Sequence, residues 1–114
     1  MATRMGSIQH TNINANTAGS NALVPAQAEM DVLIVNYLML AAGAVVVTLE
    51  DSGTGTDRVG PLPFAANGGV SAPDSQVGWQ RTAEGQGLNI RLDAAVRVGG
   101  SISWRYIPHH MRLG

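Results

Sequence analysis

The sequence predicts an all-β protein: an antiparallel β-sandwich or jelly roll of seven to eight short strands, with an extended N-terminal arm. Short runs of β-branched and aromatic residues alternate with turns rich in Gly, Pro and Asn, and no stretch has a helical period. The 114 residues, 45% of them hydrophobic, supply one core and therefore one domain. The predicted division is a polar arm at 1–28, a β-sandwich domain at 29–108 and a C-terminal tail at 109–114.

The N-terminal segment 1–28 is rich in Asn, Thr, Ala and Ser and has few large apolar side chains. Short edge strands are conceivable at 7–13 and at 21–24, where Pro25 would end the second. Two interpretations remain open for the whole segment: a loosely ordered tail, or an arm that becomes ordered on a neighbouring protein. If the arm clamps a neighbour, deletion of residues 1–28 should leave a folded domain that binds less well.

The strand pattern becomes clear after residue 30. The apolar run Asp31–Leu40 predicts a central strand buried on both faces, joined by a hairpin to a strand at 44–50. The glycine-rich stretch 51–57 predicts a hairpin tip, and two prolines mark 59–64 as an edge strand. Alternating apolar and polar residues at Leu88–Leu92 predict a half-buried strand. Further strands are predicted at 77–82 and 99–107.

The five aromatic side chains are assigned mainly to the core. Trp104 and Tyr106 alternate with polar residues and share a strand face with Ile102, as core residues do. Trp79 follows the long loop 65–76, so strand alternation does not assign it to the core. A carbohydrate-binding surface would also display aromatic rings, so this alternative is kept for Trp79.

Composition favours a protein that contacts other proteins. Only 13% of the residues are charged, and the seven basic residues are all arginine, which is common in interfaces but would also follow from a coding bias. With a net charge of −1 and no basic stripe, direct nucleic-acid binding is not expected. The chain has no cysteine, and neither a signal-peptide core nor a membrane span is predicted.

No catalytic, cofactor-binding or metal-binding residue is predicted, and the protein is not expected to be an enzyme. The side-chain oxygens of Asp51, Thr54 and Asp57 could act as calcium ligands. Their spacing does not match a calcium-binding loop, and the composition of the segment favours a hairpin loop. His109 and His110 point to opposite faces of an extended chain, so they do not easily share a metal. The candidate partner-interface residues are Arg58, Trp79, Arg81 and Arg97.

Five stretches between Met30 and Ile107 carry a characteristic succession of strands and turns. They are AAGAVVVTL (41–49), GPLPFAANGGVSAP (60–73), GW (78–79), TAEGQGLNIRL (82–92) and AAVRVGG (94–100). This succession resembles small virion proteins of tailed bacteriophages, some of which are capsid decoration, or cement, proteins. The segment 1–28 lies outside the resemblance, and family members usually carry lysines that this chain lacks.

The resemblance implies a role as well as a fold. A protein of this type is a β-sandwich or jelly roll, often a homotrimer, that binds between major capsid protein subunits and stabilises the phage head. The expected location is the capsid surface of the virion, after synthesis in the host cytoplasm. The alternative is the receptor- or glycan-binding head of a small phage fibre or tail-associated protein.

Overall fold

The computed structural model describes residues 6–75 and 78–110, and it confirms the all-β prediction. These residues form two antiparallel sheets and contain no helix, so there is no helix among them that is able to cross a membrane. Nine strands are formed, one or two more than predicted. They are β1 (Gln9–Ala15), β2 (Gly19–Val24), β3 (Met30–Ala41), β4 (Val45–Asp51), β5 (Asp57–Phe64), β6 (Gly69–Ala72), β7 (Gln80–Arg81), β8 (Leu88–Leu92) and β9 (Val98–Pro108).

The order of the strands is that of a jelly roll. Sheet 1 has the order β1-β9-β3-β6, with the two-residue β7 also paired to β3, and sheet 2 has the order β2-β8-β4-β5. If the two-residue β7 is left out, each strand lies in the opposite sheet from the strand before it. β5 is the exception, because it forms a hairpin with β4 within sheet 2. The chain therefore winds around the core as a double-sheet jelly roll does.

The core lies between the two sheets and follows from the two-residue period of the strands. Leu88, Ile90 and Leu92 point inward from β8, whereas Asn89 and Arg91 between them are only partly buried. On β9, Ile102 and Trp104 point inward, and Tyr106 packs against the same cluster, as predicted. The indole N–H of Trp104 donates to Thr11 Oγ1 at 2.9 Å, so this largely buried ring keeps a hydrogen bond.

The segment predicted as an arm belongs to both sheets. β1 pairs with β9 along seven residues and β2 pairs with β8, which makes each of them the edge strand of a sheet. Ile13, Ala15 and Val24 are part of the buried core. The fold therefore has no boundary at residue 28. The polar composition of residues 1–28 wrongly predicted an arm, because a strand with one exposed face needs only every second residue to be apolar.

The predicted hairpin between the third and fourth strands is not formed. β3 lies in sheet 1 and β4 in sheet 2, so the short link between them crosses from one sheet to the other. β3 is central, as predicted, and pairs with β9 in a register interrupted by a bulge between Ile34 and Asn36. The hairpin predicted around residues 51–57 is formed by β4 and β5, and β5 is an edge strand.

Candidate functional site

Arg58, one of the four candidate interface residues, serves to hold the fold together. Its Nε and Nη2 each donate to a different carboxylate oxygen of Asp51, both at 2.8 Å. Asp51 is 0% exposed. The hydrogen bond to Asp51 and the charge of that carboxylate raise the pKa of Arg58 above its ordinary value, against the opposing effect of burial. A guanidinium bound in this way is not available to a partner.

Arg81 has a similar structural role on β7. Its guanidinium lies 2.7 Å from the buried carboxylate of Asp31, and it also donates to the carbonyl of His109 at 3.1 Å. The Nδ1 atom of His109 lies 3.1 Å from the same carboxylate. His109, predicted as the start of a tail, is thus bound to the domain at this point. Residues 111–114 of that predicted tail lie outside the described residues.

The outer face of sheet 2 carries charges that neutralise one another. Glu50 is only 3% exposed and accepts hydrogen bonds from Arg91 Nη1 and Ser20 Oγ, both at 2.5 Å. Arg91 Nη2 also lies 3.0 Å from Asp57. These contacts tie β2, β4, β5 and β8 together on the solvent side. They leave little unsatisfied charge with which to attract a partner.

The outer face of sheet 1 has a different character. The cross-strand register places Leu38 between Ser101 of β9 and Ser71 of β6, and Leu40 between Gly99 and Gly69. The face consists of polar residues without carboxylates, glycines and two leucines. Its members, called the sheet 1 face below, are His10, Asn12, Asn14, Asn36, Leu38, Leu40, Gly69, Ser71, Gly99, Ser101 and Ser103.

Two leucines stand exposed at the centre of the sheet 1 face. Leu38 and Leu40 are 43% and 53% exposed, whereas Met39 and Ala41, which alternate with them, are buried in the core. The sequence predicted burial on both faces of this strand. Both faces of β3 are buried near its start, where Leu33 lies, but the outer face of its second half is exposed. Exposed apolar side chains that form a contiguous patch are typical of an interaction surface, and Leu38 and Leu40 are neighbours on this face.

Arg97, the fourth candidate, borders this face next to Leu40. An open cavity of ≈ 360 Å³ is lined by Leu40, Ala41, Ala42, Asn67, Arg97 and Gly99. The Nε of Arg97 donates to Asn14 Oδ1 at 3.3 Å. Unlike Arg58 and Arg81, Arg97 forms no ion pair with any carboxylate of the described residues. Arg97 is therefore the candidate arginine that remains open to a partner.

Trp79 is exposed but lies apart from Arg97. Its side chain is 45% exposed, its indole N–H donates to the carbonyl of Pro73 at 2.8 Å, and its backbone N–H donates to Ile34. Ile34 and Leu40 are six positions apart on β3, which corresponds to about 20 Å of strand. The four predicted interface residues thus do not form one cluster.

The residues considered for a calcium site are engaged by other side chains, whereas His109 and His110, expected on opposite faces, have ring centroids only 5.4 Å apart. Asp51 is engaged by Arg58, and the Thr54 hydroxyl lies 3.0 Å from that of Thr56. Across residues 6–75 and 78–110, no group of three or more His, Asp or Glu side chains is arranged to hold a metal ion.

Sequence reasoning missed the two leucines at the centre of the sheet 1 face. The signal was present in the alternation Leu38-Met39-Leu40-Ala41, which allows one buried and one exposed face. An uninterrupted apolar run hides this alternation, because inward and outward side chains are equally apolar.

Comparison of the chain with models of protein families finds no match, and neither the curated proteins nor the solved structures include a similar one. The geometry of the surface and the sequence resemblance are therefore the grounds for a functional proposal.

Proposed function

We propose that this chain is a structural virion protein, a capsid decoration protein that binds between major capsid protein subunits and stabilises the phage head. The observation that carries the proposal is the sheet 1 face: its members include no carboxylate, Asp74 at its margin is bound to Asn36, and Leu38 and Leu40 stand exposed. A protein acting in this way needs contact area and no reaction, because each added contact across a joint between subunits opposes their separation.

The contrast between the two sheets supports a binding role. Sheet 2 covers its outer side with mutually paired charges, including Glu50 and Arg91. Sheet 1 instead exposes leucines and small neutral side chains, which lose little hydration when a partner covers them. The jelly-roll fold agrees with the proposal, since capsid proteins use it, but lectins use it as well. The surface and the sequence resemblance therefore support the proposal, and the fold is merely compatible with it.

Capsids that lack this protein provide the direct test. Purified protein added to such capsids of the encoding phage should co-sediment with them, and cryo-electron microscopy should place copies at every local threefold position. The decorated capsids should also survive heating or low ionic strength better than bare ones. Copies found only at the tail or at the vertices would refute the decoration role.

The proposal includes a homotrimer, since association lets each copy cover part of its apolar surface. Sedimentation analysis at micromolar concentration should give the mass of three chains. A monomer under these conditions would remove the trimer from the proposal while leaving capsid binding to be judged by co-sedimentation.

Trp79 favours a second candidate, a receptor- or glycan-binding head. Its exposed ring is held in place by the hydrogen bond to Pro73, and sugars stack on such fixed rings. Under this alternative the isolated protein binds specific glycans on an array, and Trp79→Ala abolishes the signal whereas Trp79→Phe retains part of it. Absence of glycan binding by the unmodified protein would eliminate this candidate.

A further inference from the structure

We infer that the cavity between Leu40 and Arg97 receives an apolar side chain of the capsid subunit, with a neighbouring carboxylate of that subunit bound by Arg97. This inference rests on the proposed function and names the part of the surface that makes the contact. Its occupant is a segment of another protein in which an apolar residue and an acidic residue lie close together.

The open space lies over Gly99. A methyl group built at Gly99 would meet only the carbonyl oxygen of Ile13, at 3.8 Å, so the volume above this glycine is empty. At Gly69, on the other side of Leu40, a methyl group would come within 2.4 Å of Leu40 Cδ2. Leu40 therefore leans over Gly69 and leaves a vacant site over Gly99. The site is bordered by Leu40 and Arg97.

The size and lining of the cavity suit one large side chain. Its ≈ 360 Å³ is near the lower end of the volumes that hold small ligands, and it is open on one side. Leu40 and Ala42 supply apolar side chains, and Gly99 allows close approach to the backbone. An apolar side chain that enters would cover the exposed part of Leu40, and both would lose contact with water.

Arg97 supplies the charge that selects the partner. A guanidinium offers five N–H donors, and among the described residues Arg97 directs one of them to Asn14 Oδ1, at the long distance of 3.3 Å. The remaining donors can bind a carboxylate through two parallel hydrogen bonds. An acidic residue beside the inserted apolar residue therefore complements this end of the face.

Charge also argues against a second copy of this chain as the occupant. Arg97 lies immediately before β9 and Arg105 lies near the other end of that strand, and neither forms an ion pair with a described carboxylate. Asp74 lies at the margin and is bound to Asn36. Two such faces stacked together would bring four guanidinium groups into one contact with no carboxylate among the outward positions.

The size of the face leads to the same conclusion. Three strands that each contribute about 20 Å and the four-residue β6 with about 13 Å, spaced by about 4.8 Å, give roughly 350 Å². A stable complex of two free proteins usually buries about 800 Å² on each partner. A contact of this size is sufficient when several act together, as they do for an oligomer bound to a repeating shell.

The test compares exposed variants on the two outer faces. Leu40→Asp and Arg97→Glu should each weaken binding to capsids that lack this protein by at least about tenfold. The more conservative Leu40→Ser and Arg97→Lys should weaken it less. Ala22→Glu is the matched control, because it adds a negative charge at an exposed position of β2 in sheet 2 and should leave binding unchanged. Circular dichroism and thermal melting verify that each variant is folded.

The outcomes separate this inference from the proposed function. If the unmodified protein fails to bind capsids, both are overturned. If it binds and the Leu40 and Arg97 variants bind equally well, only the inference is overturned. Sedimentation gives a further check: if Leu40→Asp dissociates the free oligomer, a second copy occupies the face and the inference is wrong. Reduced capsid binding with an unchanged oligomer supports it.

Discussion

A protein that lacks residues 1–28 is expected to be unfolded. The deletion removes β1 and β2, which are the edge strands of the two sheets, together with the core residues Ile13 and Val24. It also leaves the indole N–H of Trp104 without its partner Thr11. The expectation from composition alone was a folded domain with reduced binding, and the structure reverses it.

The magnitudes support complete loss of the fold. Burial of an Ile or Val side chain contributes about 1.5–3 kcal/mol, so Ile13 and Val24 together account for roughly 3–6 kcal/mol. The free energy of unfolding of a small domain is about 5–15 kcal/mol in total, and the strand pairing of β1 and β2 is lost in addition.

Far-ultraviolet circular dichroism and urea denaturation measure this outcome. The deletion variant should show no cooperative transition, whereas deletion of residues 1–5 leaves β1 and β2 intact and should preserve one. A cooperative transition in the protein that lacks residues 1–28 would show that the segment is an arm that the fold does not require.

Point substitutions on β1 provide a matched pair within one strand. Ile13 points into the core and Asn12 lies on the sheet 1 face, so the two strand faces are compared at adjacent positions. Ile13→Ser should lower the free energy of unfolding by about 3 kcal/mol, and Asn12→Ser by less than about 0.5 kcal/mol. Equal effects at the two positions would contradict the placement of β1 in the sheet.

Strand alternation was predictable from the sequence, and strand pairing was not. Leu88–Leu92 and the residues around Trp104 show which side chains point inward because that depends only on the two-residue period. The pairing of β3 with β9 joins Ile34 to Trp104, seventy positions along the chain. No local signal encodes such a contact. The short link after β3 therefore predicts a hairpin, whereas in the structure it crosses between the sheets.

The arginines show the same limit at the level of the candidate site. The use of arginine as the basic residue at all seven positions favours an interface, but the structure divides the arginines by partner. Arg58 and Arg81 are bound to the buried carboxylates of Asp51 and Asp31, and the second pair is fifty positions apart in the chain. Only the fold reveals which guanidinium is left for a partner, because an ion pair depends on distance in space.

Substitution of Asp51 by Ala is expected to have the second-largest effect on stability. The buried carboxylate accepts two hydrogen bonds from Arg58 and a third, at 3.3 Å, from the backbone N–H of Ala83. Removal of one partner of a buried ion pair leaves the other charge uncompensated and costs about 3–5 kcal/mol. Since Arg58 is a quarter exposed and remains in contact with water, the lower end, about 3 kcal/mol, is expected. The melting temperature should fall by roughly 10–15 °C.

Asp57→Ala is the matched control for this substitution. Asp57 also pairs with an arginine in sheet 2, but its side chain is largely exposed, and exposed ion pairs contribute about 1 kcal/mol or less. The effect of Asp57→Ala should shrink as salt is added, whereas that of Asp51→Ala should persist because the buried pair is screened much less. Similar losses for the two variants would show that Asp51 is not the buried anchor described.

The pH dependence of the Asp51–Arg58 pair follows from the direction in which the pKa of Arg58 is shifted. That pKa is raised in the folded protein, so its contribution to stability is complete below the ordinary arginine pKa and declines only as the pH rises through the folded value. The contribution of Arg58 should thus be constant from neutral to mildly alkaline pH.

Because Asp51 joins the β4–β5 hairpin to the loop at Ala83, its loss should loosen this end of the sandwich. The sheet 1 face lies on the opposite sheet and should keep its leucines in place. A moderately destabilised Asp51→Asn protein that still binds capsids at low temperature would separate the residue that stabilises the fold from those that bind the partner.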